Sequence, residues 1–228
     1  MAGCPAADGP MVPGGLSDSG LRARFSALWA RLGATGDVEP ILDSVMHGWT
    51  ESHRRYHGLD HLRDCLARLD EAPAEGKDRD LAEAALWYHD LVYRPGAPDN
   101  EARSAARARA DLVGGGARDA VVDEVARLVQ LTDHTDPPSD PLGALVCDVD
   151  LSILGRPPEE FEEYERQIRE EYRQVPDSLW RSGRARVVAS FLSRDPIFRT
   201  DHFRRRYEAP ARRNLRRSLE SFAPSPGA

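Results

Sequence analysis

Apolar side chains recur along most of the chain at intervals of three and four residues, the spacing of one face of an amphipathic α-helix. The first such stretch begins at Leu21 and stops before Gly33, a residue type that is common just after helices. No segment of any length alternates between apolar and polar residues as a half-buried strand does. The pattern therefore predicts an all-α protein.

The same spacing divides the rest of the chain into further helices. His57, His61 and Cys65 follow one another at steps of four residues, which predicts a third helix with these side chains on one face. A short helix that follows a proline-rich loop carries Asp148 and Asp150. The remaining helices are predicted over about residues 39–50, 80–93, 100–113, 118–132, 158–174, 177–193 and 204–222.

The segments rich in glycine and proline between these helices are short enough to be turns. Because 228 residues suffice for one sizeable core, we expect a single compact bundle of about eight to ten helices over residues 17–222. Residues 1–16 are rich in glycine, proline and alanine, so a disordered tail is expected there. A second, short tail is expected over residues 223–228.

Composition narrows the classes of function. The formal net charge is -7 at pH 7, so nucleic acid is an unlikely class of partner. The three cysteines are widely spaced and form no CxxC pair, which argues against a disulfide framework and favours a reducing cytoplasm. Neither a secretory signal nor an apolar run near 18 residues is evident, so we expect a cytoplasmic protein without a membrane partner.

The most informative chemistry lies in an apolar stretch over residues 86–93. It contains His89 and Asp90 side by side, and an imidazole next to a carboxylate is costly to bury without a partner. A divalent metal ion would satisfy both groups. Since adjacent helical residues point about 100° apart, both reach one ion only near a helix end, and Pro95 and Gly96 indicate such an end.

Two other segments could supply further groups to the same ion. His57 and His61 lie four residues apart upstream, and Asp148 and Asp150 lie downstream. If the three segments meet, they form a site of imidazoles and carboxylates. Such a set leaves coordination positions open for water and a substrate.

The ordered H…HD…D pattern resembles the HD superfamily of metal-dependent phosphohydrolases. More narrowly, the chain resembles a mainly bacterial family of about 200 residues with predicted activity of this type. The resemblance covers about residues 20–220 and implies a helical HD domain. It is carried by residues 53–61, 87–93, 99–105, 148–155, 194–200 and 211–215.

This resemblance implies a ligand set for a divalent ion, either Mn, Fe, Mg, Co or Zn. The implied ligands are His61, His89, Asp90 and Asp150, with Asp148 as the competing assignment for the last. It also implies that His57 is a general acid that protonates the leaving oxygen. The alternative is that His57 only hydrogen-bonds Asp90.

The implied reaction is hydrolysis of a phosphoester, of a nucleotide or another small phosphorylated metabolite, through a metal-bound hydroxide. Asp90 or Glu101 would take the proton of the water, and Arg54 and Arg55 are candidates for binding the phosphate. His134 is a candidate for contacting the phosphate or a second ion.

Two other functions stay open at this point. Some HD-fold proteins are di-iron oxygenases, but these need a further set of histidine and carboxylate ligands. The other alternative is a non-catalytic nucleotide-binding sensor. The pattern also leaves open whether the protein is a homodimer.

Overall fold

A computed structural model describes residues 16–222 of the chain. Over this range the chain forms ten α-helices, two short 3-10 turns and no β-strand, which confirms the all-α prediction. Apart from Leu16, the two predicted tails lie outside the described residues. None of the described helices combines the length and the apolar character needed to cross a lipid bilayer.

The helices follow one another through short connections, as the positions of the glycines and prolines predicted. In chain order they are α1 (Asp18–Arg31), α2 (Glu39–Trp49), α3 (Leu59–Glu71), α4 (Gly76–Tyr88), α5 (Asn100–Gly114), α6 (Asp119–Gln130), α7 (Pro141–Asp150), α8 (Pro158–Glu171), α9 (Asp177–Leu192) and α10 (Asp201–Phe222). The two 3-10 turns are Leu131–Asp133 and Leu151–Gly155.

Helix α4 is the centre of the core. It is surrounded by α1, α3, α5, α6 and α7, and each of its residues from Leu81 to Tyr88 is buried. The one charged residue in that run, Glu83, pairs with Arg24 at 2.7 Å. A helix buried on all sides is held rigidly by its apolar contacts, so it carries the residues that follow it, His89 and Asp90, to a fixed place.

Two of the predicted helix boundaries that were wrong affect candidate site residues. Helix α4 ends at Tyr88 and not near residue 93. The prediction extended too far because Leu91 and Tyr93 are buried, although they lie in irregular structure after the helix. Helix α3 begins at Leu59, after Gly58 in an extended conformation, so His57 precedes the helix. The four-residue spacing between His57 and the next histidine is therefore not helical.

Helix α10 packs against the 3-10 turn that follows α7. Gly155 in this turn lies so close to Tyr207 that an added Cβ would approach atoms of that residue to 2.7 Å. The Asn214 side chain also donates hydrogen bonds to the carbonyl oxygens of Leu154 and Arg156, both at 2.9 Å. These contacts hold in place the turn that begins directly after Asp150.

Candidate metal centre

Four side chains from three separate elements converge at the end of α4. His61 Nε2 lies 3.0 Å from His89 Nε2 and 3.1 Å from Asp150 Oδ1. Asp90 Oδ2 lies 3.2 Å from His89 Nε2 and 3.6 Å from His61 Nε2. Nitrogen and oxygen ligands about 2.1 Å from one ion are separated by about 3 to 3.5 Å, so the spacing fits a shared metal.

The tautomer of His89 supports the same interpretation. Its Nδ1 donates to the carbonyl oxygen of Leu86 at 2.8 Å, so the lone pair of the neutral ring is on Nε2. That lone pair faces His61, Asp90 and Asp150, and acceptors repel one another unless a cation lies between them. Burial lowers the pKa of His89, yet the two carboxylates raise it well above its ordinary value. The site therefore attracts positive charge.

A carboxylate at the end of α7 completes the cluster, and it belongs to Asp150. Asp148 turns away and accepts hydrogen bonds of 2.7 to 3.1 Å from the backbone and hydroxyl of Thr200 and the backbone of Arg199. Burial would raise the pKa of Asp150, but the histidines around it hold that pKa well below its ordinary value. Asp148 instead anchors the start of α10.

Cys65 is a further possible ligand that the motif did not include. It forms a group with His61, His89 and Asp150 whose ligand atoms all lie within 4.8 Å of one another. Its sulfur lies 3.7 and 3.8 Å from the two ring nitrogens of His61, one helical turn away. Burial raises the pKa of this thiol well above its ordinary value, whereas Asp90 is held ionised by His89 despite its burial. We therefore favour Asp90 over Cys65 as the fourth ligand.

His134 reaches the same cluster from the turn after α6. Its Nε2 lies 2.8 Å from Asp150 Oδ2, whereas His61 contacts the other carboxylate oxygen, Oδ1. The backbone of His134 is left-handed, with φ at 53°, and its carbonyl oxygen accepts a hydrogen bond from Arg194. Left-handed backbone is uncommon outside glycine, so the surroundings hold this histidine in place.

His57 is oriented by Glu171, a residue from the end of α8. His57 Nδ1 donates to Glu171 Oε2 at 2.7 Å, and Tyr93 donates its hydroxyl to the same oxygen at 2.8 Å. The other oxygen accepts from the backbone N–H groups of residues 55–57. Burial would raise the pKa of Glu171, but these hydrogen bonds and His57 lower it to about 2. The carboxylate that His57 contacts is thus Glu171 and not Asp90.

No motif pointed to Glu171, although one signal in the sequence could have found it. Phe161, Tyr164 and Ile168 form the buried stripe of α8, and Glu171 continues that stripe at helical spacing. A carboxylate on the apolar face of a highly charged helix needs a buried partner. The identity of that partner required the tertiary structure.

The two arginines predicted to bind phosphate lie elsewhere. The side chain of Arg54 is only 2% exposed, and its guanidinium donates to the carbonyl oxygens of His57, Asp90 and Leu91 at 2.7 to 2.9 Å. Arg55 is exposed and donates to the carbonyl oxygens of Ser52 and Arg54. Neither arginine lines the cavity next to the four converging side chains, which we call the metal cluster. The hydrogen bonds of Arg54 instead connect two loops.

That cavity has a volume of about 660 Å³. His57, Asp90, Glu101, His134 and Asp150 all line it, whereas His61 and His89 are buried and contact Asp90 and Asp150 from within the protein. Glu101 is half-buried, and burial raises the pKa of its carboxyl. The cavity thus offers a half-buried carboxyl and an oriented imidazole next to the candidate ligands.

Comparison of the chain with family models, with curated proteins and with solved structures found no significant match in any of the three. Membership of the HD superfamily therefore stays a prediction from the motifs. The geometry of the described residues carries the functional argument.

Proposed function

We propose that the protein is a metal-dependent phosphohydrolase that cleaves a phosphoester of a small metabolite. The observation that carries this proposal is the convergence of His61, His89, Asp90 and Asp150 on one point beside a large cavity, which the two carboxylates line. Mixed nitrogen and oxygen ligands of this kind suit Mn, Fe, Co or Zn, and Mg to a lesser degree. A bound divalent ion supplies a Lewis acid that makes water more acidic and offsets the charge of the phosphate.

His57 is the proton donor in this proposal. Its Nδ1 is engaged by Glu171, so a protonated ring has its second N–H available, and the ring lines the cavity. Hydrolysis joins the oxygen of water to phosphorus and breaks the phosphorus–oxygen ester bond. The released alcohol takes its proton from His57, the proton of the attacking water goes to a second group, and proton exchange with solvent restores both groups.

Glu101 is the residue that accepts the proton of the water in this scheme. Its carboxyl is half-buried and lines the cavity beside Asp90 and His134. Asp90, the other predicted base, faces two histidines of the cluster and is better placed as a ligand. Glu101→Gln is expected to lower the rate of phosphate release while the bound metal stays in place.

The test begins with elemental analysis of the purified protein, followed by a phosphatase screen with the metal restored. His89→Ala and Asp90→Ala are expected to lose both bound metal and phosphate release. His47→Ala is the matched control, because His47 is an exposed histidine on α2. Unchanged metal content in both site variants would contradict the proposal.

The same protein samples separate the two other functions. Oxygen consumption that depends on iron, without phosphate release, would indicate an oxygenase. Tight nucleotide binding without turnover under any metal would indicate a sensor. Either result would overturn the assignment as a phosphohydrolase.

A further inference from the structure

The cavity above the metal cluster has two chemically different ends. The ionisable residues His57, Asp90, Glu101, His134 and Asp150 line the end next to the candidate ligands. The other end is formed by α8, α9 and the 3-10 turn after α7, and most of its side chains are apolar or aromatic. The motif does not explain this second end, which we call the apolar chamber.

One wall of the apolar chamber is a face of α9. Leu179, Gly183, Val187 and Phe191 follow one another at steps of four residues, and all line the cavity. Leu179 is 63% exposed and Val187 is 43% exposed, which makes them two of the few large apolar side chains left open to solvent among the described residues. Apolar side chains that line a cavity and stay exposed are typical of a ligand-binding surface.

The facing wall is also apolar, and aromatic rings connect it to the metal cluster. Tyr56 lies between the two, because its ring centroid is 4.6 Å from the ring of His61 and 4.6 Å from the ring of Tyr164. The rest of this wall consists of Leu151, Ile153, Leu154, Ile168, Val175 and Trp180. A group attached to a phosphate at the cluster would therefore extend directly into the chamber.

Two polar side chains of the chamber, Arg184 and Tyr172, are engaged within the protein, whereas Arg186 lines the cavity, is exposed and has no hydrogen bond or ion pair to residues 16–222. Arg184 donates to Glu165 and to the hydroxyl of Tyr164, both at 2.6 Å. The hydroxyl of Tyr172 accepts a hydrogen bond from the backbone of Gly96 at 3.1 Å. Most side chains of the chamber offer no hydrogen-bond partner, so a sugar hydroxyl that does not reach Arg186 would lose water without an equivalent partner, which costs about 1 to 3 kcal/mol for each group left unsatisfied.

Gly183 is a second indication that the wall formed by α9 leaves space for a ligand. It lies in the middle of α9, where glycine costs about 1 kcal/mol relative to alanine. Its φ is not positive, and an added Cβ would meet no protein atom within 4 Å, so neither conformation nor crowding requires glycine. The space next to it belongs to the cavity and is available to a ligand.

We infer that the substrate is a phosphate ester of an apolar alcohol, with an aryl or branched alkyl group that lies against α9 in the apolar chamber. This inference rests on the proposed phosphohydrolase function. The volume of about 660 Å³ is in the range of pockets for ligands of this size. The predominance of apolar and aromatic side chains in the chamber favours such a group over the sugar of a nucleotide or of a sugar phosphate.

The test compares 2-phenylethyl phosphate, ethyl phosphate and ribose 5-phosphate with the metal-loaded protein. All three release a primary alcohol, so differences in kcat/KM report mainly on binding of the organic group. We expect kcat/KM for 2-phenylethyl phosphate to exceed both others by at least about tenfold. Equal or higher values for ribose 5-phosphate would overturn the inference.

Gly183→Leu is designed to fill the chamber. Ala189→Leu is its control, because Ala189 is exposed on α9 and does not line the cavity. Gly183→Leu should raise KM for 2-phenylethyl phosphate by about tenfold and change that for ethyl phosphate less than about twofold. Ala189→Leu should resemble the wild type. An equal loss for both substrates in Gly183→Leu would mean that the chamber does not select the organic group.

Binding of phosphonates keeps this inference separate from the proposed function. If no ester is hydrolysed with any metal, the phosphohydrolase proposal fails, but 2-phenylethylphosphonate can still be titrated against ethylphosphonate by calorimetry. Tighter binding of the phenylethyl compound, lost in Gly183→Leu, would support the chamber as the site of an apolar group. Equal affinities would overturn it.

Discussion

Glu171 Oε2 lies 2.7 Å from His57 Nδ1, although the two residues are 114 positions apart in the chain. The same carboxylate also accepts the backbone N–H groups of residues 55–57 and the hydroxyl of Tyr93. One buried acid thus holds both the imidazole and the loop that carries it. This arrangement joins the stability of the loop to the orientation of the candidate proton donor.

The first prediction concerns the pH dependence of stability. The pKa of Glu171 falls from 4.5 to about 2 in the folded protein, so its ionised form stabilises the fold. That contribution is fully present above about pH 4.5 and is lost as the pH falls toward 2. We expect Glu171→Gln to lower the free energy of unfolding by about 2 to 3 kcal/mol at pH 7, with a smaller difference near pH 2.

Urea unfolding at several pH values measures this difference. Glu220→Gln serves as the control, because Glu220 is exposed on α10 and has no ion-pair partner among residues 16–222. Its curve should run parallel to that of the wild type. A difference between wild type and Glu171→Gln that stays constant from pH 7 to pH 2 would contradict the role assigned to the carboxylate.

The second prediction concerns catalysis by the same pair. If Glu171 acts through His57, Glu171→Gln should keep its bound metal but lower kcat for phosphate release, on the order of tenfold or more. His57→Asn should lower kcat further. The double variant should then be no slower than His57→Asn alone, because both changes remove one function. Independent, multiplicative losses would show that Glu171 does not work through the imidazole.

The parts of the fold that the sequence predicted are those that depend on local spacing. The apolar periodicity located the helices, and it failed near Leu91 and Tyr93 because buried residues in irregular structure have the same composition as a buried helix. It also assigned His57 to α3, whereas that residue belongs to a loop held by Arg54 and Glu171. Spacing contains no information on such long-range hydrogen bonds.

The third prediction separates the two neighbouring arginines. Arg54 donates to three carbonyl oxygens in two loops, and lysine cannot reproduce that planar set of donors. Arg54→Lys should lower the free energy of unfolding by about 2 to 4 kcal/mol and weaken metal binding, since the loop after α4 loses its clamp. Arg55→Lys, one residue away but exposed, should change stability by less than about 0.5 kcal/mol.

Denaturant unfolding and metal titration of the two variants measure these effects side by side. A stable Arg55→Lys variant with strongly reduced phosphate release would restore Arg55 as a phosphate-binding residue. If Arg54→Lys changes neither the free energy of unfolding nor the metal affinity, the two loops keep their conformation without the guanidinium.

The fourth prediction separates the two aspartates of α7. Asp150→Asn should reduce metal affinity by at least about tenfold, because a neutral amide replaces a charged ligand between three histidines. Asp148→Asn should keep its metal but lower the free energy of unfolding by about 1 to 3 kcal/mol. The new amide would face the N–H groups of Arg199 and Thr200, which need an acceptor. Calorimetric metal titration and urea unfolding of both variants give the comparison, and metal loss in Asp148→Asn alone would reverse the assignment.

The last prediction decides between Asp90 and Cys65 as the fourth ligand. The Asp90 carboxylate lies beside two imidazoles. Burial raises the pKa of the Cys65 thiol, so a metal must displace its proton before the sulfur can bind. Cys65→Ser should therefore retain the metal with less than about a threefold change in affinity, and Asp90→Asn should lose it. The cobalt-loaded wild type offers a second measurement, since a thiolate ligand would add an intense near-ultraviolet absorption that a carboxylate does not. If that band appears and vanishes in Cys65→Ser, sulfur binds the ion, and the softer site would favour Zn over Mg or Mn.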